Sequence, residues 1–205
     1  GEFIGNFLKS QIQIETRYCH EISAWSLKKK NMQTFEDDSL VYQRGSVAIG
    51  TGIYAFSSYL NHSCAPNIGK IFINDKLVMV VQRPIEAGNQ IFDNYGYSFT
   101  STDKKFRQFE LSERYLFTCT CEACINNYPL LPYLKIMDKN CFKKAKKITQ
   151  ELLSLNRKKA MHKIKETGEL IGKYHHNFPS LEVSSLIESF IALVDILIKP
   201  DIQFE

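Results

Sequence analysis

The sequence predicts an α+β chain: a first part of short strands and turns, then an all-helical part. Three observations carry this. Between Val47 and Phe99 the apolar residues come in short runs broken by Gly, Asn-Asp and Glu-Ala-Gly-Asn turn signals. After Tyr128-Pro129 the composition shifts to helix formers, with apolar residues three and four apart and no further strand signal. At the junction sits a cysteine cluster, CTCEAC, which is a local fastening rather than part of either pattern.

Each element follows from its own pattern. Ile4, Phe7, Leu8 and Ile12 recur at helical spacing and predict an amphipathic helix from Ile4 to about Tyr18, while the polar, charged stretch Lys28 to Ser39 reads as a loop. GSVAIGTGIYAF places Gly50 and Gly52 among small and β-branched residues, which suits a bent strand or a turn. IGKIFIN and KLVMVVQRPI flank Asn74 and Asp75 as a β-hairpin. Glu86-Ala87-Gly88-Asn89 is a second turn, QIFDNYGYSF a third strand, and Ser101 or Thr102 the cap of a helix through Phe106, Phe109 and Arg114. Three apolar stripes follow: Phe142, Ala145, Ile148, Leu152 and Leu155; Ala160, Ile164, Ile171 and Tyr174; Leu186, Ile187, Phe190, Val194 and Leu197. They predict antiparallel helices, the clearest start being Pro179-Ser180.

With 205 residues and 44% hydrophobic side chains the chain can bury a core without disulfide staples. A net charge of +4 is too mild to mark a dedicated nucleic-acid binder. No apolar run approaches the roughly 20 residues of a membrane span, and GEFIGNFLKS lacks the parts of a signal peptide. The expectation is a soluble protein of the cytoplasm or nucleus. Without an initiating Met, and with helical spacing from the first residues, the chain is expected to be part of a longer protein. Its six cysteines then read as thiols or metal ligands.

Two stretches carry chemistry. In YLNHSCAPN, Asn61, His62, Ser63 and Cys64 place an amide, an imidazole, a hydroxyl and a thiol together inside apolar sequence, and such groups need a partner when buried. Cys119, Cys121 and Cys124 form C-x-C-x2-C, three thiolates on a tight turn and one ligand short of tetrahedral zinc. The fourth ligand could be Cys64, Cys141, Cys19 or a histidine. Lone Cys19 and Cys141 otherwise read as core or surface, and His175 and His176 as a helix end. The lysine-rich run from Lys143 to Lys165 is read as a solvated helix face in preference to a nucleic-acid contact.

The order GTGIYAFSSYLNHSCAPN, GNQIFDNYG, RYLFTCTCEAC resembles the C-terminal part of a SET domain with its post-SET zinc loop, and in detail the SET and MYND domain family of protein-lysine methyltransferases. The resemblance implies a SET-domain β-clip fold of short strands with knot-like threading, and a helical C-terminal domain. It divides the chain into residues 1–117 (SET, C-terminal portion), 118–128 (post-SET loop) and 129–205 (helical domain). It implies that Asn61 and His62 hold S-adenosylmethionine with Ser58 and Leu60 lining the pocket. Tyr95 matches the catalytic tyrosine and meets the cofactor, Phe117 packs on the cofactor, and Tyr115 walls the lysine channel. Cys64 supplies the missing zinc ligand beside Cys119, Cys121 and Cys124. The family's glycine-rich cofactor loop and MYND module have no match here. Near Arg17 to Glu21, where members carry a cofactor-holding Asn, RYCHEI offers Tyr18 or a neighbour, and Ala65 replaces a common acidic residue.

These implications give a first hypothesis, a cofactor-dependent methyltransferase acting on a protein lysine, histone or other. The rival is a catalytically silent, zinc-stapled module that binds protein partners through its helical tail.

Overall fold

The computed structural model describes residues 19–28, 43–73, 76–152, 155 and 157–198. The expected helix to Tyr18, the loop from residue 29 to Ser39 and the hairpin tip Asn74-Asp75 lie outside them. Strands β1 (Cys19–Lys28) and β2 (Gln43–Ile53) pair antiparallel, with a register shift between Ile22 and Ser23. β1 had no forecast. β4 (Ile68–Ile73) and β5 (Lys76–Val81) form the expected hairpin, Ile73 opposite Lys76. β3 (Asn61–His62) pairs in parallel with β6 (Phe92–Asp93).

β6 is much shorter than the strand expected over QIFDNYGYSF, because polar side chains turn the backbone out of the ladder. The Asn94 amide N–H donates to Asp93 Oδ1 (2.7 Å) and that of Gly96 to Asn94 Oδ1 (2.8 Å), with Gly96 at φ +106°. The preceding turn is as expected, Asn89 N–H donating to the Glu86 carbonyl with Gly88 at φ +87°.

Helix α1 (Lys104–Tyr115) is capped by Asp103, whose Oδ1 accepts from Phe106 N–H, and not by Ser101 or Thr102. Those two hydroxyls face one another instead. α1 buries Arg107 and Leu111 and turns Phe106 and Phe109 outward. A single turn, α2 (Glu122–Ile125), carries Cys124. The tail contains α3 (Lys139–Glu151), α4 (Arg157–Tyr174) and α5 (Leu181–Ile198), with α5 packed on both others. No described helix is long and apolar enough to cross a membrane.

The predicted stripes become one core of Ala145, Ile148, Leu152, Ala160, Ile171, Val183, Leu186, Ile187 and Leu193, with Cys141 in the place expected for Phe142. A carboxylate is buried there as well. Glu182, fully enclosed, accepts from the backbone N–H groups of Met137 and Asp138 and so finishes the N-terminus of α3. Gly69 permits close approach between β4 and α5, since a Cβ there would lie 2.7 Å from Ile191 Cδ1.

A second core of Cys64, Ala65, Phe99, Leu111, Cys119, Ala123, Cys124 and Leu134 lies under the cysteine cluster. Phe178, between α4 and α5, packs against both cores, its ring 5.9 Å from Phe99 and 6.1 Å from Tyr128. Arg83 fastens the same point. Its guanidinium lies 4.4 Å over the Phe178 ring, donates to the carbonyl oxygens of Ala65 (2.7 Å) and Pro66 (3.3 Å), and pairs with Glu122. One side chain thus ties the segment after the hairpin to the cysteine loop and to the tail. Arg83→Ala is expected to cost about 2–3 kcal/mol, since it deletes charge-assisted bonds at a half-buried junction. Urea denaturation checks this; an unchanged midpoint would mean that the tail docks without it.

Candidate functional site

The site is built where the β3–β6 pair meets the end of α1. Asn67 holds the two strands together: its Oδ1 accepts from Phe92 N–H (2.8 Å) and its Nδ2 donates to the Gln90 carbonyl (2.9 Å). Ser63 N–H donates to the Asp93 carbonyl, and Asn94 Nδ2 to the Ser63 carbonyl. Asp93 is itself buried and paired with Lys70 Nζ at 2.7 Å. Two segments distant in sequence are thereby locked side by side, with His62 and Cys64 on one and Tyr95 on the other.

Cys64, Cys119, Cys121 and Cys124 converge. Their sulfurs all lie within 4.8 Å of one another, Cys64 Sγ being 3.9 Å from Cys119 Sγ and 3.6 Å from Cys124 Sγ. These separations are far beyond a disulfide bond of about 2.05 Å and close to the edge of about 3.8 Å in a tetrahedron with zinc–sulfur bonds of about 2.3 Å. The donor set therefore fits a tetrahedral soft-metal ion. Hydrogen bonds with Cys119 and Cys64 push the Cys121 thiol far down, while those of Cys64 with Cys119 and Cys121, then burial, push Cys64 up. Cys119 rises to about 11, raised chiefly by Cys121. Of the open choices for a fourth ligand, Cys141 is placed in the other core.

Donors surround these sulfurs. Cys64 N–H donates to Cys121 Sγ (3.3 Å), and His62 Nε2 lies 3.3 Å from Cys64 Sγ. His62 Nδ1 accepts from Tyr95 N–H (3.0 Å), which leaves the proton on Nε2, aimed at the sulfur. Burial first, against the pull of Cys121 and Asp93, lowers the His62 pKa to about 4, so the ring is neutral. Both ring nitrogens are engaged within the chain.

An aromatic group adjoins the cluster. The Tyr95 ring centroid lies 4.7 Å from Tyr115 and 5.1 Å from His62, and Phe117 lies 6.1 Å from His62. Tyr95 Oη donates to the Leu60 carbonyl at 2.7 Å. Burial pushes the Tyr115 phenol up, so it too is neutral. Asn61 is exposed beside them; Ser58 spends its hydroxyl on the Tyr54 carbonyl (3.0 Å). His62, Cys64, Tyr95, Tyr115, Phe117 and the three cysteines of CTCEAC are thus joined by direct contacts, Asn61 and Leu60 adjoin them along the chain, and Tyr18 lies outside the described residues.

Sequence reasoning missed Arg107 and Gln108. Gln108 Oε1 accepts from Cys119 N–H (2.9 Å) and its Nε2 donates to the Cys119 carbonyl (2.7 Å), clamping that cysteine's backbone. Arg107, fully buried, has Nη2 3.9 Å from Cys124 Sγ; burial opposes its charge, but Cys124 and Cys64 prevail and its pKa sits above the usual range. The available signal was Arg107 lying one helical turn before Leu111, on the inward stripe.

Residues 1–96 match the SET domain family. The chain is 35% identical over 86 residues to "Protein-lysine N-methyltransferase SMYD4" of Pongo abelii, covering 42% of this chain and 11% of that protein. It is 29% identical over 111 residues to "SET domain-containing protein 3" of Caenorhabditis elegans (54% and 23%). With "Histone-lysine N-methyltransferase SMYD3" of Mus musculus it shares 34% over 76 residues (37% and 17%). The matched stretches span less than a quarter of these relatives. A SET match running through Tyr95, together with SET and MYND relatives, supports a SET-domain protein of the SET and MYND kind.

Proposed function

We propose that the chain forms the methyl-transfer site of an S-adenosylmethionine-dependent protein-lysine N-methyltransferase. The observation that carries this reading is the convergence of the Tyr95, Tyr115 and Phe117 rings with His62, on the parallel β3–β6 pair that also carries Asn61, beside four cysteine sulfurs. S-adenosylmethionine supplies, when bound, a methyl group on a cationic sulfur open to in-line attack by an amine. The donor set here fits it: an exposed amide for polar contact and ring faces that attract a cation and exclude water.

Asn61 binds the cofactor through its side chain, and His62 through its backbone and ring edge, since its nitrogens are already used. Ser58 and Leu60 line the pocket and Phe117 covers it. Tyr115 and Tyr95 wall the channel for the lysine chain. The Tyr95 hydroxyl, its proton directed to Leu60, presents oxygen lone pairs to the amine, orienting it and favouring the positive charge that grows on nitrogen. The protein mainly aligns the reacting atoms. Zinc, held by Cys64, Cys119, Cys121 and Cys124, fastens the post-SET loop (residues 118–128) to the Asn61-His62 segment, and the Tyr95 segment is threaded past it in the family's knot-like manner. The helical domain from residue 129 offers a surface for protein partners.

Calorimetric titration of S-adenosylmethionine into the zinc-loaded chain tests the pocket. Asn61→Ala is expected to weaken binding about tenfold or more, the loss of roughly 1.4 kcal/mol or more. Unaltered affinity in that variant would move the cofactor elsewhere.

A further inference from the structure

Arg107 is the largest fully buried side chain among the described residues, and no carboxylate there pairs with it. Its Nη1 donates to the Thr102 carbonyl and its Nη2 points to Cys124 Sγ at 3.9 Å, while Nε has no acceptor. A cation enclosed in this way is costly unless an opposite charge lies nearby. Four thiolates around a divalent ion leave two negative charges, also enclosed. The other donors to these sulfurs, Cys64 N–H and His62 Nε2–H, are neutral. Only Arg107 brings a whole positive charge to the cluster from the described residues in contact with it.

We propose that Arg107 is the counter-charge of the four-cysteine centre and sets its affinity for zinc, a positioning role that rests on the zinc reading above. α1 then has two duties at once: Gln108 grips the backbone of Cys119 while Arg107, one residue earlier, offsets the charge of the sulfurs. The Thr102 carbonyl anchors the guanidinium and fixes the start of the helix relative to the metal.

The test is zinc affinity of the full chain, measured by competition with a chromophoric chelator. Wild type is expected to take one zinc. Arg107→Gln, similar in polarity but uncharged, is expected to bind zinc about 10–100-fold more weakly. Arg107→Lys, which keeps the charge, is expected to stay within roughly fivefold of wild type. Cys124→His removes one negative charge from the centre, so adding Arg107→Gln to it is expected to cost much less than in the wild-type background. Wild-type affinity in Arg107→Gln, equal losses in the Lys and Gln variants, or full additivity in the double variant would each overturn the proposal. Should Arg107→Gln alone fail to fold, a zinc-binding double variant supports the counter-charge role, and a double variant that also fails to fold contradicts it. A wild-type chain that takes no zinc would overturn the metal centre itself, a result distinct from zinc binding that ignores Arg107.

Discussion

Cys64→Ser is expected to strip tight zinc from the chain and to loosen the whole second core. Cys64 is the one sulfur of the cluster that comes from outside the CTCEAC segment, so removing it cuts the only metal link between the two distant stretches among the described residues. It is fully buried, and its neighbours Cys119, Cys124 and Ala65 belong to the same core. The three remaining thiolates would keep a weaker, open site. Structural zinc contributes folding free energy directly, so a destabilisation above about 4 kcal/mol is expected, a fall in Tm of roughly 8–16 °C for a chain of this size. Metal content after gel filtration and a thermal melt read both effects. Cys141→Ser is the control: Cys141 is equally buried but sits in the helical core, so it should lose some stability and no zinc. Zinc retained in Cys64→Ser at full affinity would remove this residue from the ligand set.

Tyr95→Phe is expected to lower methyl transfer about 10²-fold or more, acting on kcat, while S-adenosylmethionine affinity stays within about twofold. The substitution deletes one oxygen and keeps the ring that stacks near Tyr115 and His62. The same hydroxyl also donates to the Leu60 carbonyl, so a structural role makes a different forecast: loss of that bond would loosen the turn before Asn61 and weaken cofactor binding first. The split between kcat and binding separates the two. It also separates the enzyme from a silent interaction module, in which partner binding would be indifferent to this change and no methyl transfer would be seen.

Much of the site was legible because its residues are grouped in two short motifs whose chemistry is unusual for their surroundings. Asn-His-Ser-Cys and C-x-C-x2-C each state a need for partners, and the structure brings the four sulfurs together. What could not be read is the material holding the motifs in place. Arg107 and Gln108 look like ordinary polar residues of a surface helix, and only the tertiary position of α1 turns them toward sulfur and backbone. Asn67 and Asp93 act through bonds across more than twenty positions, which no local pattern announces. The helical tail was readable from its stripes, yet Glu182 was not, since a carboxylate on an inward helix face gains meaning only from the N–H groups of Met137 and Asp138. β6 failed for a local reason: QIFDNYGYSF has strand composition, but Asp93 and Asn94 bond to the following amides and end the strand after two residues.

The central claim is that the β3–β6 pair and the rings beside it carry methyl transfer to a protein lysine. Its most direct test is to incubate the zinc-loaded chain with methyl-labelled S-adenosylmethionine and a mixture of histones and other lysine-rich proteins, then map the label by mass spectrometry. The expected result is label on lysine side-chain nitrogen, absent when Tyr95 is phenylalanine. Cofactor bound to the chain with no label on any lysine would contradict the account and leave the scaffold a zinc-fastened binding module.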